Sequence, residues 1–210
     1  MKIMNTSLSP IRVRSQTEIS IQRKIIPVLL SLFLGALLGF LAKYYDDQPV
    51  IGAIGTSLGV WVLIATILAA WSRSARAAAL QVFIFFAAML SLYYWYSMVL
   101  FGFFPRYYFI AWGSIALLSP IGAYIVWYAR GNGWVAALCA SFPIAILLVE
   151  GYRFFFTGSI PEGFDLLAAV LLIVMLGTKG HQMVRILLIS LIVFLIFWKL
   201  HVLSLVFGGL

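Results

Sequence analysis

Charged residues are scarce in this chain. They make up 10% of its 210 residues, while 64% are hydrophobic. A soluble domain carries roughly 25% charged residues, so a chain this apolar cannot cover a water-facing surface. Cysteine occurs once, as Cys139 within an apolar stretch, which excludes an internal disulfide and a thiolate metal site. The two histidines, His181 and His201, are too few for a histidine-rich metal site. Their expected places on opposite sides of a bilayer exclude a shared one. There is no glycine-rich phosphate loop and no Walker pattern. No central pair of acidic residues, and no Ser with a His at the same depth, suggests intramembrane hydrolysis. The expectation is a protein that is not an enzyme and that uses no metal or cofactor. A cleavable signal peptide is also not evident. The first apolar run follows a polar arm of 24 residues and is long enough to span.

What the chain does have is apolar sequence in long blocks. A bilayer core of about 30 Å needs roughly 20 apolar residues per helix. Seven stretches read as spans: 25–45, 50–71, 77–100, 107–128, 134–150, 160–177 and 184–207. The predicted fold is an all-α polytopic membrane bundle of seven helices. Residues 1–24 form a basic N-terminal arm, with a short interfacial helix expected near Ile19 to Lys24, and residues 25–210 form a single transmembrane domain. The links are so short that sequential helices are antiparallel neighbours. The sixth span is the shortest. Ser159-Ile160-Pro161-Glu162 lengthens it, with Ser as a cap, Pro in the first turn and Glu closing a capping box.

The net charge of +8 follows a topological bias. With the N-terminus inside, the cytoplasmic segments hold Lys2, Arg12, Arg14, Arg23, Lys24, Arg73, Arg76, Arg130, Lys179 and Arg185. The outer side holds only Lys43, Arg106, Arg153 and Lys199, together with Asp46, Asp47, Glu150, Glu162 and Asp165. Lys and Arg are retained on the cytoplasmic side, so the predicted orientation is N-in and, after seven crossings, C-out. The basic balance thus points to the lipid bilayer as partner and not to nucleic acid; arm residues beside the membrane are drawn to anionic lipids.

Two groups of residues are candidates for function. Ser31, Gly35 and Gly39 form a small-residue stripe in the first span, and Gly52, Gly55 and Gly59 form one in the second. Such stripes let helix backbones approach closely. They serve either to pack the first two spans against each other or to dock another membrane subunit. The second group lies at the outer ends, where aromatic residues crowd far more than at the inner ends. Among them, Glu150, Arg153, Arg106, Tyr94 and Tyr108 are the candidate ligand-binding residues. Glu150 and Arg153 are three apart and share a helix face if the fifth span continues. Intramembrane ionisable groups are costly and tend to pair or to line a polar path. An outward-facing aromatic pocket with Glu150 paired to Arg153 or Arg106 would make the chain a small-molecule binding or transport subunit. A thickened interfacial belt is the alternative. Glu162 and Asp165 suit a helix N-terminus. Pro120 and Pro143 interrupt the fourth and fifth spans and produce either a static kink or a cavity.

Several short motifs carry a resemblance. They are the Gly35/Gly39 stripe, Ser57-Leu58-Gly59-Val60-Trp61, Tyr93-Tyr94, Ser119-Pro120-Ile121-Gly122-Ala123 and Glu150-Gly151-Tyr152. Through them, from about Val28 to Tyr152, the chain resembles an uncharacterised family of small bacterial multi-pass membrane proteins. The resemblance implies a bacterial cytoplasmic membrane and carries no activity. In size the chain is also similar to the membrane-embedded substrate-binding subunits of energy-coupling-factor vitamin transporters. Those typically have six spans, bind ligand from outside and dock partners through small-residue stripes; the seventh span here departs from that pattern.

Overall fold

A computed structural model describes residues 11–12 and 21–203. The rest of the arm and the end of the last expected span, residues 204–207, lie outside the described residues. No strand occurs among the described residues. The helices are α1 (Ile21–Tyr44), α2 (Ile51–Gly55), α3 (Leu58–Trp71), α4 (Ala75–Phe101), α5 (Arg106–Val126), α6 (Trp134–Gly151), α7 (Phe154–Thr157), α8 (Ile160–Leu176) and α9 (Gly180–Lys199). A 3-10 turn, Trp127–Arg130, extends α5.

Among the described residues, five helical segments are long and apolar enough to cross a membrane: Ile21–Tyr44, Ala75–Phe101, Arg106–Arg130, Trp134–Thr157 and Gly180–Lys199. They mark the chain as an integral membrane protein. The expected second and sixth spans are shorter. The second is divided, because the helix stops at Gly55 and restarts at Leu58. There the Ser57 hydroxyl donates to the Ile54 carbonyl at 2.8 Å, a local bond that competes with continuing the helix. The sixth is the 17-residue α8. Pro161 sits in its first turn as expected, but the Ser159 side chain caps nothing. Thr157 takes over, accepting from the Ser159 N–H at 3.1 Å and donating to Glu162. At the N-terminus, Ile21 to Lys24 of the expected interfacial helix belong to α1, which starts at Ile21, and the rest of that segment lies outside the described residues.

Packing divides the bundle into two groups joined by α3. Helix α4 carries α1 on one side and α5 on the other, while α6 carries α8 and α9; α3 touches α4, α5, α6 and α8. The main core cluster lies on the α6 side and includes Ile144, Leu147, Leu172, Leu176 and Ile186. A second gathers around Val82, Ala123 and Trp127. On α8 the buried residues are Asp165, Ala168, Ala169, Leu172 and Leu176, the i, i+3, i+4, i+7, i+11 stripe of one helix face.

The two ends of the bundle differ in charge. The five described acidic residues sit at one end, beside the α1–α2 turn and around α7. Arg12, Arg73, Arg76, Arg130, Lys179 and Arg185 sit at the other.

Candidate functional site

The glycine stripes are used inside the chain. A Cβ at Gly35 would run into the Phe85 carbonyl, and one at Gly39 into the Met89 carbonyl. The first stripe, with buried Ser31, therefore seats α1 on α4 and not on the second span as expected. The three glycines of the second stripe have three separate uses, because the break at Thr56 and Ser57 removes their common face. Gly52 lies under the carbonyls of Tyr45 and Asp46 in the turn. A Cβ at Gly55 would make only ordinary contact with Ala42, at 3.8 Å to its Cα. Gly59 lies against the Asp165 carboxyl.

The five candidate ligand residues do not form one pocket. Tyr94 is buried, with its ring edge-to-face on Phe109 at 5.5 Å and on Tyr93 at 5.2 Å. Tyr108 and Arg106 are exposed on the first turn of α5, where Tyr108 contacts Tyr107. Glu150 is half-buried near the end of α6. The ion pair expected between Glu150 and Arg153 or Arg106 is not the one formed. Arg153 Nε lies 3.4 Å from Glu162 Oε1 instead. The reason is local: α6 ends at Gly151, and the turn that follows carries Arg153 across to the start of α8.

Tyr94 belongs to a different site. A cavity of about 760 Å³ lies among α3, α4, α5 and α6. Its wall is mainly apolar, with Trp61, Phe86, Trp112 and Phe142 as the large rings. Its polar side chains include the hydroxyl-bearing Thr56, Thr66, Tyr93, Tyr94 and Ser119, besides the indoles of Trp61 and Trp112. Tyr93, Tyr94 and Thr56 stand toward the acidic end. Ala69 and Val126 close the basic end. Leu118 and Ile121 line the cavity and are also 64% and 62% exposed, and Phe142 across from them is partly exposed. The mouth therefore opens sideways, between α5 and α6, onto the surface that faces lipid. Gly122 lies at this mouth, and a Cβ there would meet nothing within 4 Å. Pro143 of α6 lines the cavity; Pro120 does not.

Two ionisable groups are more enclosed than the sequence reading expects, which sets Asp165 at a helix N-terminus and Lys43 simply on the outer side. Asp165 does not reach water from a helix start. It is 3% exposed, and its Oδ1 accepts no hydrogen bond. Its place on the buried α8 stripe was legible from the spacing to Ala168, Ala169 and Leu172. Lys43 is 9% exposed, with Nζ 2.5 Å from Asp46 Oδ2. It also lies 4.8 Å from the Phe101 ring centre and 5.5 Å from that of Tyr93. No spacing rule predicts that enclosure, because it depends on α1 lying against α4.

The basic end is fastened by polar contacts. The Trp127 indole N–H donates to the Ser72 carbonyl at 2.8 Å. Gln182 donates to the Gly133 carbonyl at 3.0 Å and accepts from its N–H at 3.2 Å. Arg12 donates to the carbonyls of Ala70 and Trp127, and the Asn132 N–H donates to the Ile11 carbonyl at 3.2 Å.

Among known proteins, no curated sequence and no solved structure matches the chain significantly. One family model matches, over residues 15–207, and its description is "Family of unknown function (DUF6518)". That match spans nearly the whole length, the divided second helix and the α3–α6 cavity included, so the chain belongs to the DUF6518 family of unknown function.

Proposed function

We propose that the chain is a non-enzymatic membrane subunit that binds, and serves the transport of, a small and largely apolar molecule. The observation that carries this reading is the α3–α6 cavity. Its volume of about 760 Å³ falls in the range of ligand sites, about 300–1,000 Å³. Its wall combines large rings with a few hydroxyls, the mix that holds an apolar body and orients one polar group. The lining offers no carboxylate, imidazole or thiol, so the reading includes no catalytic step. The mouth faces lipid, which favours a ligand that partitions into the bilayer. Tyr94 is the one residue of the expected aromatic pocket that this reading keeps.

The same reading has the chain cross seven times, N-in and C-out, in a bacterial cytoplasmic membrane. Helices α2 and α3 together cover 51–71, and α8 has 17 residues. At 1.5 Å per residue α8 is about 26 Å long, enough for a span with slight mismatch. The basic end then faces the cytoplasm, as retention of Lys and Arg requires.

The test uses an apolar fluorescent dye, aminoanthracene, with energy transfer from Trp61 and Trp112 as the readout. In lipid nanodiscs the dye should bind saturably. Gly122→Leu, which has room to fold, should fill the mouth and weaken binding at least about tenfold. Linear partitioning that is the same in wild type and variant would remove the reading.

A further inference from the structure

We propose that Arg12 and Arg130 form a binding site for the phosphate of an anionic phospholipid at the basic end of the bundle. Ala69 and Val126 close the cavity at that end, so the site is separate from the cavity and does not depend on what binds there.

Three chain segments bring the two guanidiniums together. Arg12 lies over the Trp127 ring, at 4.3 Å, and donates to the carbonyls of Ala70 and Trp127. Arg130 ends the same 3-10 turn that Trp127 begins, and its guanidinium is 4.4 Å from the centre of the Trp71 ring. Ala70 and Trp71 are the last two residues of α3. Both cations therefore converge where the end of α3 meets the 3-10 turn. Gly131 lets the arm lie there. A Cβ on it would hit the Ile11 carbonyl, which accepts from the Asn132 N–H at 3.2 Å.

This place has positive charge and no carboxylate among the described residues, whose acidic groups all sit at the opposite end. Arg130 Nε is buried without a hydrogen-bond partner, so its charge is not fully satisfied within the protein. Both arginines are only half-buried, and each still has surface to offer an anion. A guanidinium presents its N–H groups as a rigid fork that matches phosphate oxygens. Two like charges held close together repel, and an anion shared between them offsets that cost. The level in the membrane selects the anion. Trp71 is 42% exposed at the end of an apolar helix, a position typical of the headgroup layer, where an anionic lipid carries its phosphate. The competing reading is that these arginines only fix orientation through their charge. Arg73 and Arg76 separate the two readings, because they lie at the same end and are exposed.

The full chain is purified in a neutral detergent and titrated with dioleoyl phosphatidylglycerol or dioleoyl phosphatidylcholine, and native mass spectrometry counts the bound lipid. The first phosphatidylglycerol should bind at least about tenfold tighter than phosphatidylcholine. Arg12→Gln and Arg130→Gln should each weaken it about tenfold, and Arg73→Gln and Arg76→Gln about twofold or less. If Arg12→Gln does not fold, Arg12→Lys, which keeps the charge and loses the fork, takes its place beside Arg130→Gln. Equal losses in all four glutamine variants would show diffuse attraction and overturn the proposal. Equal affinity for the two lipids would also overturn it. Inorganic phosphate that displaces phosphatidylglycerol at micromolar concentration would assign the site to a soluble anion and overturn the lipid assignment. Glu18 is the one acidic residue outside the described segments. Lipid binding that appears only in Glu18→Gln would make that carboxylate the occupant and overturn the proposal.

Discussion

The Arg12 guanidinium lies 4.3 Å from the centre of the Trp127 ring. The same side chain donates to the carbonyls of Ala70, at 2.9 Å, and of Trp127. A planar cation is suited to stacking and forked donation at once, which lysine is not. Burial first, and the Arg130 charge second, lower the Arg12 pKa, yet a guanidinium keeps its charge at neutral pH. Arg12→Ala should lower stability by about 1 kcal/mol and speed amide exchange at Asn132, whose N–H is held by Ile11. Arg12→Lys should recover less than half of the loss. Unchanged exchange at Asn132 in both variants would show that the contact does not hold the segment in place.

Gly39 and Gly55 make a controlled comparison. A Cβ at Gly39 meets the Met89 backbone, which cannot turn aside, whereas one at Gly55 finds Ala42 Cα at an ordinary 3.8 Å. Gly39→Ala should destabilise by about 2 kcal/mol or more. Gly55→Ala should be neutral or slightly stabilising. Thermal unfolding in one detergent ranks the two, and equal midpoints would contradict the α1–α4 contact.

Lys43 and Asp46 differ in what their loss leaves behind. Asp46→Asn leaves a buried ammonium with only ring faces around it and should cost about 1–3 kcal/mol. Lys43→Met removes the charge and keeps the volume, so it should cost about 1 kcal/mol or less. The order is the test. If Lys43→Met proves the more damaging in a denaturation series, the ion pair itself is the main contribution.

Orientation can be read by labelling. With the acidic end outside, Asp47→Cys should react with a membrane-impermeant maleimide on intact cells. Arg73→Cys should react only after permeabilisation. The native thiol of buried Cys139 adds little background. Reaction at Arg73→Cys alone would invert the orientation.

The helical class and most helix positions were legible because hydropathy and length determine them. Pairings were less so. The Gly35/Gly39 stripe announced a close contact, but a stripe does not name its partner. That α4 takes the place expected for the second span depends on α3 sitting in the centre, a tertiary fact. The break at Thr56 and Ser57 was hidden because both residues are tolerated within membrane helices. Arg153 turned to Glu162 because α6 stops at Gly151, and helix ends are the least predictable feature of a sequence. Tyr94 was the informative aromatic, yet its value came from Trp61 and Trp112 on other helices. Neither had a reason in the sequence to be grouped with it.

The hydrogen bonds at the basic end tie together residues far apart in the chain: Arg12 to Ala70 and Trp127, Trp127 to Ser72, and Gln182 to Gly133. At the acidic end the two ion pairs join near neighbours, Lys43 with Asp46 and Arg153 with Glu162. Close packing adds cross-helix links at the acidic end as well, with Lys43 of α1 over the rings of Phe101 and Tyr93 on α4 and the Asp165 carboxyl of α8 against Gly59 of α3. The two ends of the bundle are thus fastened by different chemistry: long-range hydrogen bonds to backbone carbonyls at the basic end, ion pairs and ring contacts at the acidic end.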